Sequence, residues 1–189
     1  MTPLKHHPEW IKMLNGEIYE ATNSEFLEGL LETRAKLWEF NNLNPREIDK
    51  QHSIIRNLLG SHRENFTINQ PFRCDYGCNI HIGENFFANF NLTILDEARV
   101  EIGDNAFIGP NVSIFTACHP LDPQQRNTGV EWAEPVKIGD NVWIGGCVTI
   151  LPGVSVGDNV VIGAGSVVTR DIPSDVVVGG NPARIIKHL

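Results

Sequence analysis

A six-residue period runs through the chain from residue 66 onward, and it limits what that part can fold into. The string aliphatic-Gly-acid-Asn begins at Ile82, Ile102, Ile138 and Val156, which are 20, 36 and 18 residues apart. The underlying repeat is 18 residues, with one slip of two. An α-helix repeats every 3.6 residues and cannot give this pattern, whereas three short strands joined by tight turns can. Aliphatic residues open nine of these units: Ile102, Ile108, Ile114, Ile138, Ile144, Ile150, Val156, Ile162 and Val168.

The first and fifth positions of each unit are predicted to point inward, which makes each coil one turn of a triangular prism. Glycine and Asp-Asn pairs fall at the corners, where a positive φ costs these residues little. A run of ordinary β-hairpins is the alternative, but nine units in phase argue against it. The pattern resembles the hexapeptide-repeat family, and this resemblance implies a left-handed parallel β-helix. General topology alone favours right-handed crossovers.

The first 62 residues have a different pattern and are predicted to form a helical segment. Thr22-Asn-Ser-Glu25 resembles a capping box, and Phe26, Leu27, Leu30, Leu31, Leu37 and Trp38 follow at helical spacing. A second helix is expected to begin at 44–47 and to end with Gly60 as its C-terminal cap. A short helix is expected around Trp10 to Leu14. The predicted organisation is a helical segment over 1–62, then a β-helix over 63–189 that includes a protruding loop and a C-terminal tail.

Composition excludes several classes of partner. The chain has 189 residues and a net charge of −8, so it can bury one core and lacks the basic surface of a nucleic-acid-binding protein. No apolar run approaches the roughly 20 residues of a membrane span, and residues 1–15 lack a signal-peptide core. We therefore expect a cytoplasmic protein that binds neither nucleic acid nor membrane. Its four cysteines form no CxxC pair and are interpreted as free thiols.

The repeat is interrupted between about residues 117 and 135 by a polar segment with two prolines, which we predict to be a protruding loop. Long loops in a rigid solenoid usually carry function. Cys118 falls at an inward position, which predicts a buried thiol, so its neighbour His119 points outward at the root of the loop. Position alone leaves two interpretations of His119 open: a general base with a pKa near neutrality, or a surface histidine without a role.

A metal site is not expected. A hexapeptide-repeat carbonic anhydrase needs three zinc-binding histidines, and only His81 and His119 lie in or beside the coil. Cys74-x3-Cys78-x2-His81 is a conceivable metal cluster, but its spacing is not a standard zinc pattern.

Longer strings resemble one family of enzymes over essentially the whole chain. They are 71–96, Thr116-Ala-Cys-His-Pro120, Asn141-Val-Trp-Ile-Gly-Gly146, Val178-Gly-Gly-Asn-Pro-Ala-Arg184, Asn15-Gly-Glu-Ile-Tyr19 and Glu39-Phe-Asn41. They resemble the maltose/galactoside O-acetyltransferase family, and two of them favour a maltose-type acceptor. The resemblance implies transfer of acetyl from acetyl-CoA to a sugar hydroxyl, with His119 as general base and no covalent enzyme intermediate.

The resemblance also implies roles on the acceptor side. Asn89 would contact the sugar and the reaction centre, where an amide can donate to a developing oxyanion. Asp75 would orient sugar hydroxyls, and Glu97 occupies a further acceptor-side position. The exposed aromatic Trp143 would form a wall for sugar or pantetheine. Ala21 stands where the family has an acidic residue, which leaves the contacts to the distal sugar open.

Small residues would let the pantetheine arm of the acetyl donor, acetyl-CoA, approach the coil. The resemblance implies acetyl-CoA contacts from Gly146, Ala164, Thr169, Arg170, Arg184 and Lys187, the last three forming a local cationic patch. It also implies a homotrimer with active sites at subunit interfaces. Two alternatives remain open: the same chemistry on a galactoside, a lipo-oligosaccharide or a xenobiotic, and a non-catalytic β-helix binding module.

Overall fold

The computed structural model describes residues 6–189; the first five residues of the predicted helical segment lie outside them. Four helices are present: α1 (Pro8–Leu14), α2 (Ser24–Asn42), α3 (Ile48–Leu58) and α4 (Pro123–Arg126). The strands are β1 (Tyr19–Glu20), β2 (Phe66–Ile68), β3 (Phe72–Cys74), β4 (Ile80–Ile82), β5 (Phe86–Ala88), β6 (Leu92–Leu95), β7 (Val100–Ile102), β8 (Phe107–Ile108), β9 (Ser113–Phe115), β10 (Ala117–Cys118), β11 (Val130–Ala133), β12 (Val136–Ile138), β13 (Trp143–Ile144), β14 (Thr149–Ile150), β15 (Ser155–Val156), β16 (Val161–Ile162), β17 (Val167–Val168), β18 (Val176–Gly179) and β19 (Arg184–His188).

Three sheets of parallel strands form the faces of a prism. Their strand orders are β15-β12-β7-β4, β18-β16-β13-β8-β5-β2 and β17-β14-β9-β6-β3, and β19 adds antiparallel to β18. Ile82 pairs with Ile102, Ile102 with Ile138, and Ile138 with Val156. The residues that open the sequence repeat are thus stacked on one another, which confirms the period and the parallel β-helix.

The interior of the prism is filled by the positions predicted to point inward. Ile114, Val142, Ile144 and Val148 are fully buried, and one continuous apolar core runs from Leu37 of α2 to Ala183. Side chains alternate along each short strand, so the residue between two inward positions faces outward. Trp143 and Phe107 are exposed for this reason.

The helical segment covers the first coils, with differences from the sequence prediction. Asn23, not Thr22, caps α2, because its side chain accepts from the backbone N–H of Glu25. The buried side of α2 includes Phe26, Leu37 and Phe40, whereas Leu27, Leu31 and Trp38 are exposed. Helix α3 ends at Leu58 with Leu59 in extended geometry. Gly60 is therefore not a left-handed cap; it is required because a Cβ there would collide with the carbonyl of Cys78.

The interruption of the repeat has internal structure. The chain leaves the coil after Thr116, which is fully buried, before it reaches the inward position predicted for Cys118. Cys118 instead lies in β10, pairs with Trp132 of β11 and is half-buried, so the prediction of a buried thiol is wrong. Strand β11 also pairs with β1, where Tyr19 lies opposite Glu131. The loop is thereby attached to the helical segment.

One corner of the prism carries a column of side-chain amides. Asn85, Asn105, Asn141 and Asn159 all have φ near +56°. Each amide nitrogen donates to the side-chain oxygen of the next coil, and the last donates to Asp175. Asparagine suits this corner because it tolerates the left-handed region and satisfies its amide along the stack.

This column predicts different costs for two substitutions at one position. Asn141→Gly keeps the backbone geometry but loses two side-chain hydrogen bonds, whereas Asn141→Ala also places a Cβ in the left-handed region. We expect the alanine variant to be less stable than the glycine variant by about 1 kcal/mol in denaturant unfolding. Equal stability of the two variants would show that backbone geometry does not select asparagine here.

Candidate active site

His119 lies at the root of the loop, where its side chain is 59% exposed and is held on one side by a carboxylate. Its Nδ1 is 3.5 Å from Oε2 of Glu131. The other carboxylate oxygen of Glu131 accepts a hydrogen bond from the hydroxyl of Tyr19. The three side chains thus form a series of contacts from the core to the surface, and within residues 6–189 Nε2 of His119 forms no hydrogen bond. A neutral histidine oriented in this way can accept a proton at Nε2.

Tyr19 anchors this series of contacts because it is buried and comes from a different part of the chain. Strand β1 holds it opposite Glu131, and its ring packs against Phe26. Burial, and then the hydrogen bond to Glu131, raise the pKa of the Tyr19 phenol far above its ordinary value of 10. Burial and nearby carboxyls, Glu97 and Asp75 foremost, also raise the pKa of Tyr76. Both phenols therefore stay neutral, and the hydroxyl of Tyr19 donates to Glu131.

A group of acidic side chains lies at the corner from which the loop emerges. Asp75 follows β3, and Asp96 and Glu97 follow β6 of the next coil. Asp96 is fully buried and accepts from the backbone N–H groups of Asp75, Tyr76 and Asn79 at 3.1, 2.8 and 3.3 Å. Burial raises its pKa to about 7, against the opposing effect of these hydrogen bonds. Glu97 is 8% exposed, and burial, followed by the influence of the Asp75 carboxyl, raises its pKa.

Asp75 is the most accessible of these three acids. It lines a groove of about 470 Å³ between α2 and the outer face of β3 and β6, together with Trp38, Arg34, Arg73 and Thr93. A carboxylate in such a place can accept hydrogen bonds from hydroxyl groups.

Four of the predicted site residues line a second groove, of about 520 Å³, on the face built from β5, β8, β13 and β16. These are Asn89, Trp143, Gly146 and Ala164, and they lie with the aromatic rings of Phe87 and Phe107. The side-chain oxygen of Asn89 accepts from the N–H of Phe90, and within residues 6–189 its amide nitrogen donates to no other group. Because Gly145, Gly146, Gly163 and Ala164 carry little or no side chain, a long, narrow ligand could reach the backbone.

The cationic residues predicted to hold phosphates lie at the C-terminal end of the coil. Arg170 and Arg184 line a groove of about 360 Å³ with Ile185 and Pro173. Lys187 lies in β19, and it is exposed, as is Thr169. None of these cations forms an ion pair within the described part of the chain, so their charges are available to an anion.

The structure brings the predicted residues together in three groups. Asp75 and Glu97 share one corner, with His119 at the root of the adjoining loop; Asn89, Trp143, Gly146 and Ala164 share one face; Arg170 and Arg184 share one end. His119 and Asp75 do not line the face that holds Asn89. Within one chain, the candidate base and the candidate oxyanion donor are therefore on different surfaces.

Sequence reasoning missed Glu131 and Tyr19. Tyr19 was part of a string used for the family resemblance but had no role of its own. The run Val130-Glu-Trp-Ala133 is rich in strand-forming residues, and a strand there would have made Glu131 a candidate partner. No sequence signal indicates that β1 is the strand it pairs with.

No group of three or more His, Cys, Asp or Glu side chains within residues 6–189 could hold a metal ion. None of the helices in this part of the chain combines the length and apolar character required to cross a membrane.

Comparison with known proteins identifies the class. Residues 135–170 match the model of the bacterial transferase hexapeptide (six repeats), and residues 12–63 match the maltose acetyltransferase hexapeptide capping motif. With the prism described above, these matches define a left-handed parallel β-helix acetyltransferase with an N-terminal helical cap.

Individual relatives narrow the class to a family. A maltose O-acetyltransferase from Clostridium difficile 630 superposes with a TM-score of 0.93 at 51% identity, covering 96% of this chain and 97% of that one. A galactoside acetyltransferase solved in complex with coenzyme A superposes with a TM-score of 0.92 at 43% identity, covering 96% of this chain and 90% of that one. Galactoside O-acetyltransferase of Escherichia coli (strain K12) is 46% identical over 170 residues, 88% of this chain and 84% of that protein. The chain belongs to the maltose/galactoside O-acetyltransferase family and is an acetyl-CoA-dependent O-acetyltransferase of that type.

The buried phenols allow a test that needs no substrate. The chain has two tyrosines, and the pKa of each is raised. The folded protein keeps both phenolic protons above pH 10 while the unfolded chain loses them, so stability falls as pH rises beyond that point. We expect phenolate absorbance to stay absent at about pH 11 and to appear only with loss of circular dichroism. Phenolate formation near pH 10 in folded protein would contradict the burial.

Proposed function

We propose that the protein acetylates a hydroxyl of a maltose- or glucose-type sugar by direct transfer from acetyl-CoA, with His119 as general base. The carrying observation is the series of contacts Tyr19–Glu131–His119, in which Nδ1 of His119 lies 3.5 Å from the Glu131 carboxylate and Nε2 forms no hydrogen bond within residues 6–189. A sugar hydroxyl is a weak nucleophile until its proton is removed as the new bond forms. Nε2 of His119 takes that proton while the hydroxyl oxygen attacks the thioester carbonyl.

The second half of the reaction returns the proton. The tetrahedral intermediate expels the thiolate of coenzyme A, which receives the proton from His119, and the acetylated sugar is released. No enzyme nucleophile is required, which agrees with the half-buried position of Cys118. Its pKa is raised to about 11 by burial and nearby carboxylates, so the thiol is inert at neutral pH.

Asn89 is the proposed oxyanion donor. Its side-chain oxygen is occupied by the N–H of Phe90, which turns the amide nitrogen away from that bond and toward the groove it lines with Trp143. One donor aimed at a developing oxyanion typically contributes a factor of about 10² to 10³ in turnover. Trp143 supplies the aromatic wall of the same groove.

The residues that would bind acetyl-CoA are the small residues of the groove and the cations at the C-terminal end of the coil. Gly146 and Ala164 border the groove along which the pantetheine arm would lie. Arg170, Arg184 and Lys187 would bind the phosphates, and Thr169 could add a hydroxyl donor. Arg184 and Lys187 lie in β19, at the end of the sheet that contains β16 and β13, whereas Arg170 follows β17 of a neighbouring sheet.

We further propose a homotrimer with active sites between subunits. His119 and Asn89 lie on different surfaces of one chain, yet both must reach one thioester. A cyclic three-fold arrangement can place the loop of one chain against the groove of the next. The exposed rings of Phe90, Phe107 and Trp143 support such an interface, since aromatic side chains are enriched where subunits meet.

The experiment that tests the function is an assay of thiol release from acetyl-CoA with a panel of maltose, glucose, galactosides and other hydroxyl acceptors. We expect the highest kcat/KM for maltose or glucose. A galactoside acceptor is the second candidate, and the identity to galactoside O-acetyltransferase favours including it. No thiol release with any sugar would overturn the proposed acceptor class.

His119 has a matched control in His81. We expect His119→Ala to lower turnover by about 10² to 10⁴ while acetyl-CoA binding and folding are retained, because only the general base is lost. His81 lies on another face of the prism, where Nδ1 is 2.8 Å from the hydroxyl of Ser61. His81→Ala should leave turnover unchanged. Wild-type turnover in His119→Ala would remove this residue from the mechanism.

Mixed assembly tests the shared site. His119→Ala and Asn89→Ala should each be nearly inactive, but a refolded mixture should regain part of the activity, since some interfaces then combine an intact histidine with an intact amide. The control is each variant refolded alone. A fully active monomer by mass measurement, or a mixture no more active than its components, would contradict the interfacial site.

A further inference from the structure

Tyr19 belongs to the helical segment, yet its hydroxyl reaches the loop that carries the candidate base. The residue is 1% exposed, and its ring packs against Phe26 with the ring centroids 5.7 Å apart. Phe26 in turn stacks on Trp10 at 5.8 Å, so the phenol ring is part of a buried aromatic cluster. Interiors packed in this way leave a side chain little freedom to move. The ring of Tyr19 is therefore fixed within the helical segment.

The backbone fixes the same residue against the loop. Strand β1 pairs antiparallel with β11, and Tyr19 lies directly opposite Glu131. The N–H of Ala21 donates to the carbonyl of Gly129 at 3.3 Å, which extends the contact beyond the strand. Opposite residues of a strand pair present their side chains on the same face, and a slip of one residue would turn Tyr19 to the other face. The register of β1 on β11 thus brings the phenol to the carboxylate.

The carboxylate of Glu131 has one oxygen for each of two neighbours. Oε1 accepts the hydrogen bond from the hydroxyl of Tyr19, and Oε2 lies 3.5 Å from Nδ1 of His119. The side chain of Glu131 is 14% exposed, so water has limited access to the contact. A phenol can donate while a carboxylate can only accept, which gives this hydrogen bond one direction. Tyr19 therefore decides which oxygen of Glu131 is left to face the imidazole.

The contact between Glu131 and His119 depends on where the carboxylate is held. At 3.5 Å, Nδ1 and Oε2 are at the distance of a charge contact and are too far apart for a good hydrogen bond. A carboxylate beside Nδ1 favours the neutral tautomer that has its proton on this nitrogen, and the lone pair is then on Nε2. Without the donor from Tyr19, the carboxylate can rotate and move Oε2 away from the ring. A displacement of about 1 Å in a catalytic group can cost a factor of about 10² in rate.

We propose that Tyr19 is a positioning residue of the reaction, whose hydroxyl holds the Glu131 carboxylate so that His119 keeps its proton on Nδ1 and its lone pair on Nε2. This rests on the proposed function for the role of His119 as base, but not for the choice of tautomer. The helical segment therefore contributes one hydroxyl to the reaction, in addition to covering the first coils. Tyr19 itself touches neither the sugar nor acetyl-CoA, because its ring is buried.

Tyr19→Phe removes the hydroxyl and keeps the ring in its cluster. We expect kcat to fall roughly tenfold to a hundredfold while the KM values for sugar and for acetyl-CoA stay unchanged, because the phenol contacts neither ligand. Thr33→Val is the matched control: it removes the fully buried hydroxyl of α2 that donates to the carbonyl of Tyr76 at 3.3 Å. This control should lower the Tm and leave kcat unchanged.

Glu131→Gln tests whether Tyr19 acts through the carboxylate. The amide oxygen of the new side chain can still accept from Tyr19, which turns its NH₂ group toward His119 and favours the tautomer with the proton on Nε2. This variant should lose more activity than Tyr19→Phe. Adding Tyr19→Phe to Glu131→Gln should cause no further loss, because two residues that act as one unit are not additive.

Nitrogen-15 NMR of the imidazole rings observes the tautomer without any substrate. At about pH 8.5 an ordinary imidazole is neutral, and protonated and unprotonated ring nitrogens have well-separated shifts. With signals assigned by His119→Ala, we expect Nδ1–H in the wild type, a mixture in Tyr19→Phe and Nε2–H in Glu131→Gln. The signals of His81, whose Nδ1 is 2.8 Å from the hydroxyl of Ser61, should stay the same in all variants.

The possible results separate the proposals. Wild-type kcat in Tyr19→Phe, with or without a changed tautomer, would overturn the positioning role. An equal loss of kcat in Tyr19→Phe and Thr33→Val, with the His119 tautomer unchanged, would show that the hydroxyl serves stability alone and would overturn it as well. Failure of the wild type to acetylate any sugar would overturn the proposed function instead, and the NMR result would still decide whether Tyr19 sets the tautomer of His119.

Discussion

The stacking of one coil on the next is the constraint on which the rest of this molecule depends. Every strand except β19 has only two to four residues, so no such strand could persist alone, and the backbone N–H groups of a face bond to the coil before or after. A residue in one coil is therefore fixed by its equivalents 16 to 36 positions away. The side chains that matter for chemistry inherit this rigidity. Asn89, Trp143 and Ala164 lie in one groove because β5, β8, β13 and β16 are in register.

The candidate base His119 and the candidate acids lie where this regularity is broken. At Thr116 the chain leaves the coil, and it returns at Val136 in register with Val100. The excursion places His119 and Glu131 outside the prism, and β1 attaches it to the helical segment through Tyr19. The same corner holds the acids Asp75, Asp96 and Glu97. The coil thus provides a rigid scaffold. The interruption provides an exposed histidine beside the corner that holds the carboxyl groups.

Particular residues show which parts of the fold the sequence predicted. The stacking of Ile82, Ile102 and Ile138 followed from their spacing, because a six-residue period admits one arrangement of inward positions. The failure at Cys118 has a physical cause: the period was extended past Thr116, where the chain leaves the coil, so that Cys118 falls in β10 of the loop and not inside the prism. The α2 face was also predicted too broadly, since helical spacing identifies apolar residues but not which of Leu27, Leu31 and Leu37 finds a partner.

The sequence by itself determined the prism, its register, the corner asparagines and the interruption, because all of these follow from local periodicity and from residues that tolerate a positive φ. It also carried the strings that resemble the acetyltransferase family. Only the tertiary structure decided which side chains lie next to the candidate catalytic and binding residues. Tyr19 and Glu131 are 112 positions apart, and Asp75 and Glu97 belong to different coils. Hydrogen bonds and charge interactions between such residues depend on distances that no local pattern contains.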